Sequence, residues 1–330
     1  MIARRKTSPS AAEPDASHGL DVDAFRTFLS EKAAWRALLH DEGALGDFVE
    51  RCQDVVDHTD RLSLDLKELQ LVHESTLEYS TTLENDLELK NRVIREDLEV
   101  AEQIQGRLLP DKNGPISSQL EIAIYHEQLS EVGGDYYDFF TLPGDRHAVG
   151  VYDISGHGIS SALIMAFLKA QFLNATQRVD SASEIVDWVN QSSYSFLRGV
   201  KRYATFSFVV FADKFIRYSS GGGYGLLVHQ GKAYPFNRAG NFIGLRIKPF
   251  REFELPFDRG DVLALYTDGI PEGQGPNGES YSVQRLNNMI VRHSGESAEA
   301  ILDRVKEDYT RFKSAHTDDR TLLILRRSVQ

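Results

Sequence analysis

Three aspartates stand where apolar, strand-like runs meet glycines, a placement that leaves a carboxylate at a strand end with little bulk beside it, and a pair of aspartates stands immediately before a fourth such run. Asp135 lies in Glu131-Val-Gly-Gly-Asp-Tyr-Tyr-Asp138, and Asp153 in Val149-Gly-Val-Tyr-Asp-Ile-Ser-Gly-His-Gly158. Asp268 closes Val262-Leu-Ala-Leu-Tyr-Thr-Asp-Gly269, and the pair Asp318-Asp319 comes just before Thr321-Leu-Leu-Ile-Leu325. Carboxylates delivered from separate strand ends can converge on Mg²⁺ or Mn²⁺, which one carboxylate alone binds weakly. Gathered without a cation they would repel by about 4 kcal/mol per pair 4 Å apart at an effective dielectric near 20. The plainer reading of any one of them is a solvated turn aspartate, and the pattern alone leaves convergence open.

The elements that would position these residues lie beyond residue 120. Strand patterns fall at Leu120 to Tyr125, Ala148 to Tyr152, Ala204 to Ala212, Gly225 to His229, Lys232 to Phe236, Glu252 to Leu255, Val262 to Thr267 and Thr321 to Arg326. Helical patterns interrupt them at Ile159 to Thr176, Ser183 to Phe196, Ser282 to His293 and Ala298 to Phe312. Hairpin-length gaps and paired helices predict an α+β fold of antiparallel sheets covered by helices, not a doubly wound parallel sheet.

Composition narrows the partners. The 330 residues carry a formal net charge of −12, which argues against nucleic acid, since phosphate backbones are held by clustered Lys and Arg. Cys52 is the single cysteine and can form neither an internal disulfide nor a zinc site, which points to a reducing cytoplasm. No apolar run suggests a membrane span and no signal-peptide core is seen.

The front third reads differently. Residues 1–19 have the composition of a disordered tail, and 20–58 that of a small helical regulatory region, with Phe25, Phe28, Leu29, Trp35, Leu38 and Leu39 at helical spacing. Residues 59–110 read as a linker helix ended by Pro110, and 111–330 as the main domain. Leu62, Leu66, Leu69, Leu83, Leu87, Ile94, Leu98, Ala101, Ile104 and Leu108 make a narrow stripe near heptad spacing. Such a stripe suits a parallel dimeric coiled coil better than a helix folded back on its own domain.

In order, Glu131 to Phe139, Asp153-Ile-Ser-Gly-His-Gly158, Leu265-Tyr-Thr-Asp-Gly-Ile-Pro-Glu272 and Asp318-Asp-Arg-Thr321 resemble the motifs of the SpoIIE-like branch of the metal-dependent PPM serine/threonine protein phosphatases. The helix end Ala101 to Pro110 resembles the stretch by which that family's coiled linkers enter the phosphatase. The resemblance implies an αββα sandwich, two antiparallel sheets flanked by helices, with two Mn²⁺ or Mg²⁺ ions at one edge. It implies that Asp153 bridges the ions with the backbone carbonyl of Ile154 completing one of them, that Asp268 and Asp318 hold the other, and that Asp135 binds directly or through water. Asp319 is kept as a possible substitute for Asp318.

The implied substrate is a phosphoserine or phosphothreonine protein, an anti-sigma-factor antagonist of the STAS fold, with an upstream regulator acting on the N-terminal helices. Rival readings are a catalytically weak phosphoprotein-binding scaffold and attack on a nucleotide phosphodiester. His157 and Ser155 are read as a turn residue and an N-cap. The family's Asn-Ala-Gly-His-Pro-like turn is replaced by Ser219-Ser-Gly-Gly-Gly-Tyr-Gly225, which predicts a loosened loop.

Overall fold

The computed structural model describes residues 27, 35, 40–110, 120–236, 240–312 and 317–328. The expected tail at 1–19, the start of the helical region and the linker at 111–115 therefore fall outside the described residues, apart from Thr27 and Trp35.

Helix α1 runs Glu42–Leu108 as one element of 67 residues. Asp41 caps it, Oδ1 accepting from the N–H groups of Gly43 and Ala44 at 3.0 and 3.1 Å. It crosses residue 58 without a break, and packing divides the chain into two compact units, Met1–Lys90 and Asn91–Gln330. Leu62, Leu66, Leu69, Leu83, Leu87 and Ile94 are 49–67% exposed, and Gln105 is the buried residue of the helix.

Two five-stranded antiparallel sheets form the rest. The first has the order β1 (Leu120–Glu127), β10 (Arg320–Arg327), β9 (Val262–Tyr266), β6 (Tyr224–His229) and β7 (Lys232–Pro235). The second has β2 (Tyr136–Leu142), β3 (Arg146–Ile154), β4 (Ala204–Phe211), β5 (Phe215–Gly221) and β8 (Phe253–Pro256). Helices α2 (Ile159–Thr176) and α3 (Ala182–Gly199) pack on the second sheet, and α4 (Val283–His293) and α5 (Ala298–Phe312) on the first. The expected αββα sandwich is thus what forms, with the four helices at or within a few residues of their predicted places.

Alternation along the strands builds three apolar layers. In β9, Val262, Ala264 and Tyr266 face α4 and α5, while Leu263 and Leu265 face the other sheet; Leu322 and Ile324, against Leu323 and Leu325, repeat this in β10. In β3, Ala148, Tyr152 and Ile154 face α2 and α3, and Val149 and Val151 the middle layer. By length and composition α2 is apolar enough to cross a membrane, alone among the described helices. Ile164, Met165, Leu168 and Phe172 instead turn into the sandwich core.

Strand β5 is a correction to the sequence reading, which left Phe215–Gly221 unassigned and Ser219 to Gly225 as a loosened loop. Ser219 is fully buried, and the Ser220 hydroxyl bonds to the carbonyls of Phe206 and Gly223, each at 3.1 Å. A Cβ on Gly221 or Gly223 would collide with the backbone of Asn241 or Phe206. The glycines allow close packing there, so losing the family's turn leaves this connection tight.

Candidate metal centre

Register brings the aspartates to one edge. In the second sheet Tyr136 pairs with Tyr152, so the start of β2 and the end of β3 lie side by side, carrying Asp135 and Asp153. In the first, Leu322 pairs with Tyr266, so the end of β9 and the start of β10 do the same for Asp268 and Asp318-Asp319.

Mutual repulsion marks the convergence. Burial first, and then the charges of Asp268, Asp318, Asp319 and Glu272, push the Asp153 carboxyl up to about 7. Asp268 is pushed up to about 6 by burial, then Asp318 and Glu272. Asp135 is held well above the usual carboxylate range by burial and by Asp153, although bonds from Thr321 and Thr267 oppose the rise. All the candidate carboxylates therefore meet in one electrostatic cluster, and Glu272, part of the third motif but not singled out, belongs to it.

Surrounding side chains aim Asp135. Its Oδ2 accepts from the hydroxyls of Thr267 and Thr321, each at 2.7 Å, which leaves Oδ1 clear of both. Thr267 Oγ1 also accepts from Thr321 N–H at 3.1 Å. Because Thr321 donates to Asp135, the His126 Nδ1 that lies 2.9 Å from Thr321 Oγ1 serves as its donor, fixing the histidine tautomer. Burial lowers the His126 pKa to about 4, so the ring stays neutral at physiological pH. Thr267 and Thr321 lie within the third and fourth motifs, but nothing in the sequence marks them as donors to Asp135, and His126 carries no signal beyond strand propensity.

The adjacent aspartates differ. Asp319 is 5% exposed and ties down the loop before β2: Oδ1 accepts from Leu129 N–H at 2.7 Å, and Oδ2 from Gly134 and Asp135 N–H at 2.6 and 3.3 Å. Asp318 is exposed on the cluster side, its Oδ1 accepting from Asp319 N–H at 2.9 Å. A Cβ on Gly134 would lie 2.8 Å from the Ile154 carbonyl oxygen, so only a bare glycine lets the backbone pass this close to it.

His157 is exposed in the turn before α2, as expected. Ser155 is not the N-cap: Gly158 holds that position, and Ser155 Oγ accepts from Tyr203 N–H at 3.0 Å. The turn rises too far ahead of the helix for the Ser155 hydroxyl to reach its first amides.

A second acidic cluster, His229, Asp258 and Asp261, has ligand atoms within 4.8 Å of one another. It lies at the opposite end of β9 from Asp268 and takes no part in the edge cluster.

Residues 143–328 match the family described as Stage II sporulation protein E (SpoIIE). That span includes Asp153, Asp268, Asp318 and Asp319 and starts just after Asp135. Phosphoserine phosphatase RsbU of Bacillus subtilis is 25% identical over 253 residues, 72% of this chain and 71% of its own length. Phosphoserine phosphatase RsbP of the same organism is 24% identical over 241 residues, covering 70% of this chain and 58% of RsbP. Among solved structures, the SiaA-PP2C domain of Pseudomonas aeruginosa superposes with a TM-score of 0.64 at 22% identity, over 72% of this chain and 98% of that domain. The family match over more than half the chain, together with a shared PP2C-type sandwich, establishes that this chain belongs to the SpoIIE family.

Proposed function

We propose that this chain is a Mn²⁺- or Mg²⁺-dependent phosphatase that removes phosphate from serine or threonine side chains of a regulatory protein. The observation that carries the reading is the convergence of buried and half-buried carboxylates from both sheets, which raise one another's pKa with no basic side chain among the causes of those shifts. Such a cluster favours either protons or cations, and an all-oxygen donor set favours hard divalent ions. The Ile154 carbonyl, next to Gly134, would add a neutral oxygen of the kind those ions accept.

When bound, a pair of such ions supplies an activated water and neutralises the phosphate under attack. Asp153 is suited to bridge two ions because it interacts with Asp135 on one side and with Asp268 and Asp318 on the other. Asp268 and Asp318 would hold one side. Asp135, steadied through Oδ2 by Thr267 and Thr321, would offer Oδ1 to the other, directly or through water. Asp319 is spent on backbone amides, which favours Asp318 as the ligand. No side-chain nucleophile is needed for in-line displacement, in keeping with a lone cysteine at position 52.

Residues 111–330 would form the catalytic domain and the front third its regulator. The exposed leucine stripe on α1 would gain burial by pairing with a second copy as a coiled coil, and an upstream protein acting on the N-terminal helices would shift that packing. The likeness to RsbU and RsbP, both phosphoserine phosphatases, supports a phosphoprotein substrate here. We assign it to a STAS-fold antagonist of an anti-sigma factor, in the cytoplasm. The test is phosphate release from such antagonists, phosphorylated on serine or threonine, with Mn²⁺ or with chelator. Manganese-dependent release supports the reading; tight binding without release would leave a scaffold.

A further inference from the structure

Gln105 lies three residues before the end of α1 and is 3% exposed, although it belongs to none of the motifs around the carboxylates. Its carboxamide pairs with both polar groups of one residue. Nε2 donates to the Gly133 carbonyl at 2.8 Å, and Oε1 accepts from Gly133 N–H at 3.1 Å. Gln128 Nε2 adds a third bond, donating to Gln105 Oε1 at 3.0 Å.

Gly133 stands two residues ahead of Asp135. The Asp319 carboxylate holds the same loop through Leu129, Gly134 and Asp135. The segment that delivers Asp135 is therefore fastened at two places, one on the sandwich and one on the helix. A Cβ on Gly133 would collide with the Asp319 carboxylate, so the loop offers bare backbone here, and a carboxamide matches it group for group.

Among the described residues, little else joins this helix end to the sandwich. Leu108 and Leu109 are only partly buried against its core. A groove of about 740 Å³ runs alongside, between Glu99, Glu102 and Gly106 of the helix and His126, Gln128 and Ser130 of the sandwich. A slide or rotation of the helix end would give up few apolar contacts. It would, however, withdraw Gln105 and leave a buried N–H and C=O unpaired, so the loop would have to move with it.

We propose that Gln105 is a positioning residue: through it the end of α1 sets the Gly133–Asp135 loop and, with that, the cation affinity of the Asp135 side of the centre. The second half of this statement rests on the phosphatase reading; the first half does not.

Full-length Gln105→Ala and Gln105→Glu are compared with wild type and with Gln103→Ala, an exposed change two residues away. Glu keeps the size of Gln but has no donor for the Gly133 carbonyl when ionised. Amide exchange of residues 129–135 is measured without metal, and Mn²⁺ affinity by calorimetry well below the melting temperature, where a merely structural role would leave it unchanged. Both Gln105 variants should exchange at least about tenfold faster in this loop and bind Mn²⁺ about 10–100-fold more weakly, with Gln103→Ala like wild type. Unchanged loop exchange overturns the positioning role. Faster exchange with unchanged Mn²⁺ affinity overturns the link to the centre. Wild type that binds no Mn²⁺ removes the phosphatase reading and the second half with it, while the exchange data still decide the first.

Discussion

At one end of β9, Asp261 accepts from Asp258 N–H at 2.6 Å, Gln230 N–H at 3.3 Å and His229 Nδ1 at 2.7 Å. At the other end, Asp268 faces Asp318 and Glu272, and their charges help push its pKa up to about 6. Both clusters are acidic, both mix buried or half-buried groups with exposed ones, and both flank the same strand. The first is a closed network in which donors meet the carboxylate, and it ties the β6–β7 hairpin to the entry of β9. In the second, the neighbouring carboxylates' charges add to burial in raising Asp153 and Asp268, and folding has accepted that repulsion. A chain keeps such an arrangement when something outside the chain relieves it, which is why the edge cluster reads as function and the Asp261 cluster as structure.

The difference can be broken most severely at Asp153. Asp153→Asn should lower metal-dependent phosphate release by more than about 1,000-fold, roughly 4 kcal/mol of barrier. The same change removes a repelling charge, so the metal-free variant should melt above metal-free wild type. Loss of activity with loss of stability would instead make Asp153 a structural residue.

Asp261→Ala should do the reverse. It removes the acceptor for two backbone N–H groups and a histidine, costing about 2–4 kcal/mol of stability, while Mn²⁺ affinity at 20 °C stays that of wild type. A matching loss of Mn²⁺ binding would erase the distinction between the two ends of the strand.

A smaller effect comes from pH. The folded-state pKa values of Asp153 and Asp268, about 7 and about 6, lie above the ordinary value of 3.8. Their protonation therefore stabilises the fold fully below about pH 4, and this contribution is lost as pH rises through 6 and 7. The increase in melting temperature on adding Mn²⁺ should be several degrees larger at pH 8 than at pH 5.5, read by calorimetry with and without chelator. An increase independent of pH would mean that the cations do not take the place of those protons.

Much of this was legible beforehand because its signals are local. Asp153 and Asp268 each follow an apolar strand and precede a glycine, and period-two alternation separated the layers of β9 and β10. What stayed hidden depends on contacts between residues far apart in the chain. Thr321 serves Asp135 from 186 positions away, and Gln105 reaches Gly133 across 28. On a long polar helix a glutamine looks like any solvated side chain, and only tertiary packing makes it the buried one. Strand β5 was missed because Arg217, Ser219, Ser220 and Gly221 dilute its apolar pattern, while their packing is supplied by Ser207, Phe206 and Asn241 from elsewhere.

The central claim, that the edge carboxylates hold a pair of divalent cations, is tested most directly by anomalous scattering from a manganese-soaked crystal. Two manganese peaks among Asp153, Asp268, Asp318 and Asp135, and none at His229, Asp258 and Asp261, are the predicted result. An empty edge, or manganese bound only at the Asp261 cluster, would contradict it.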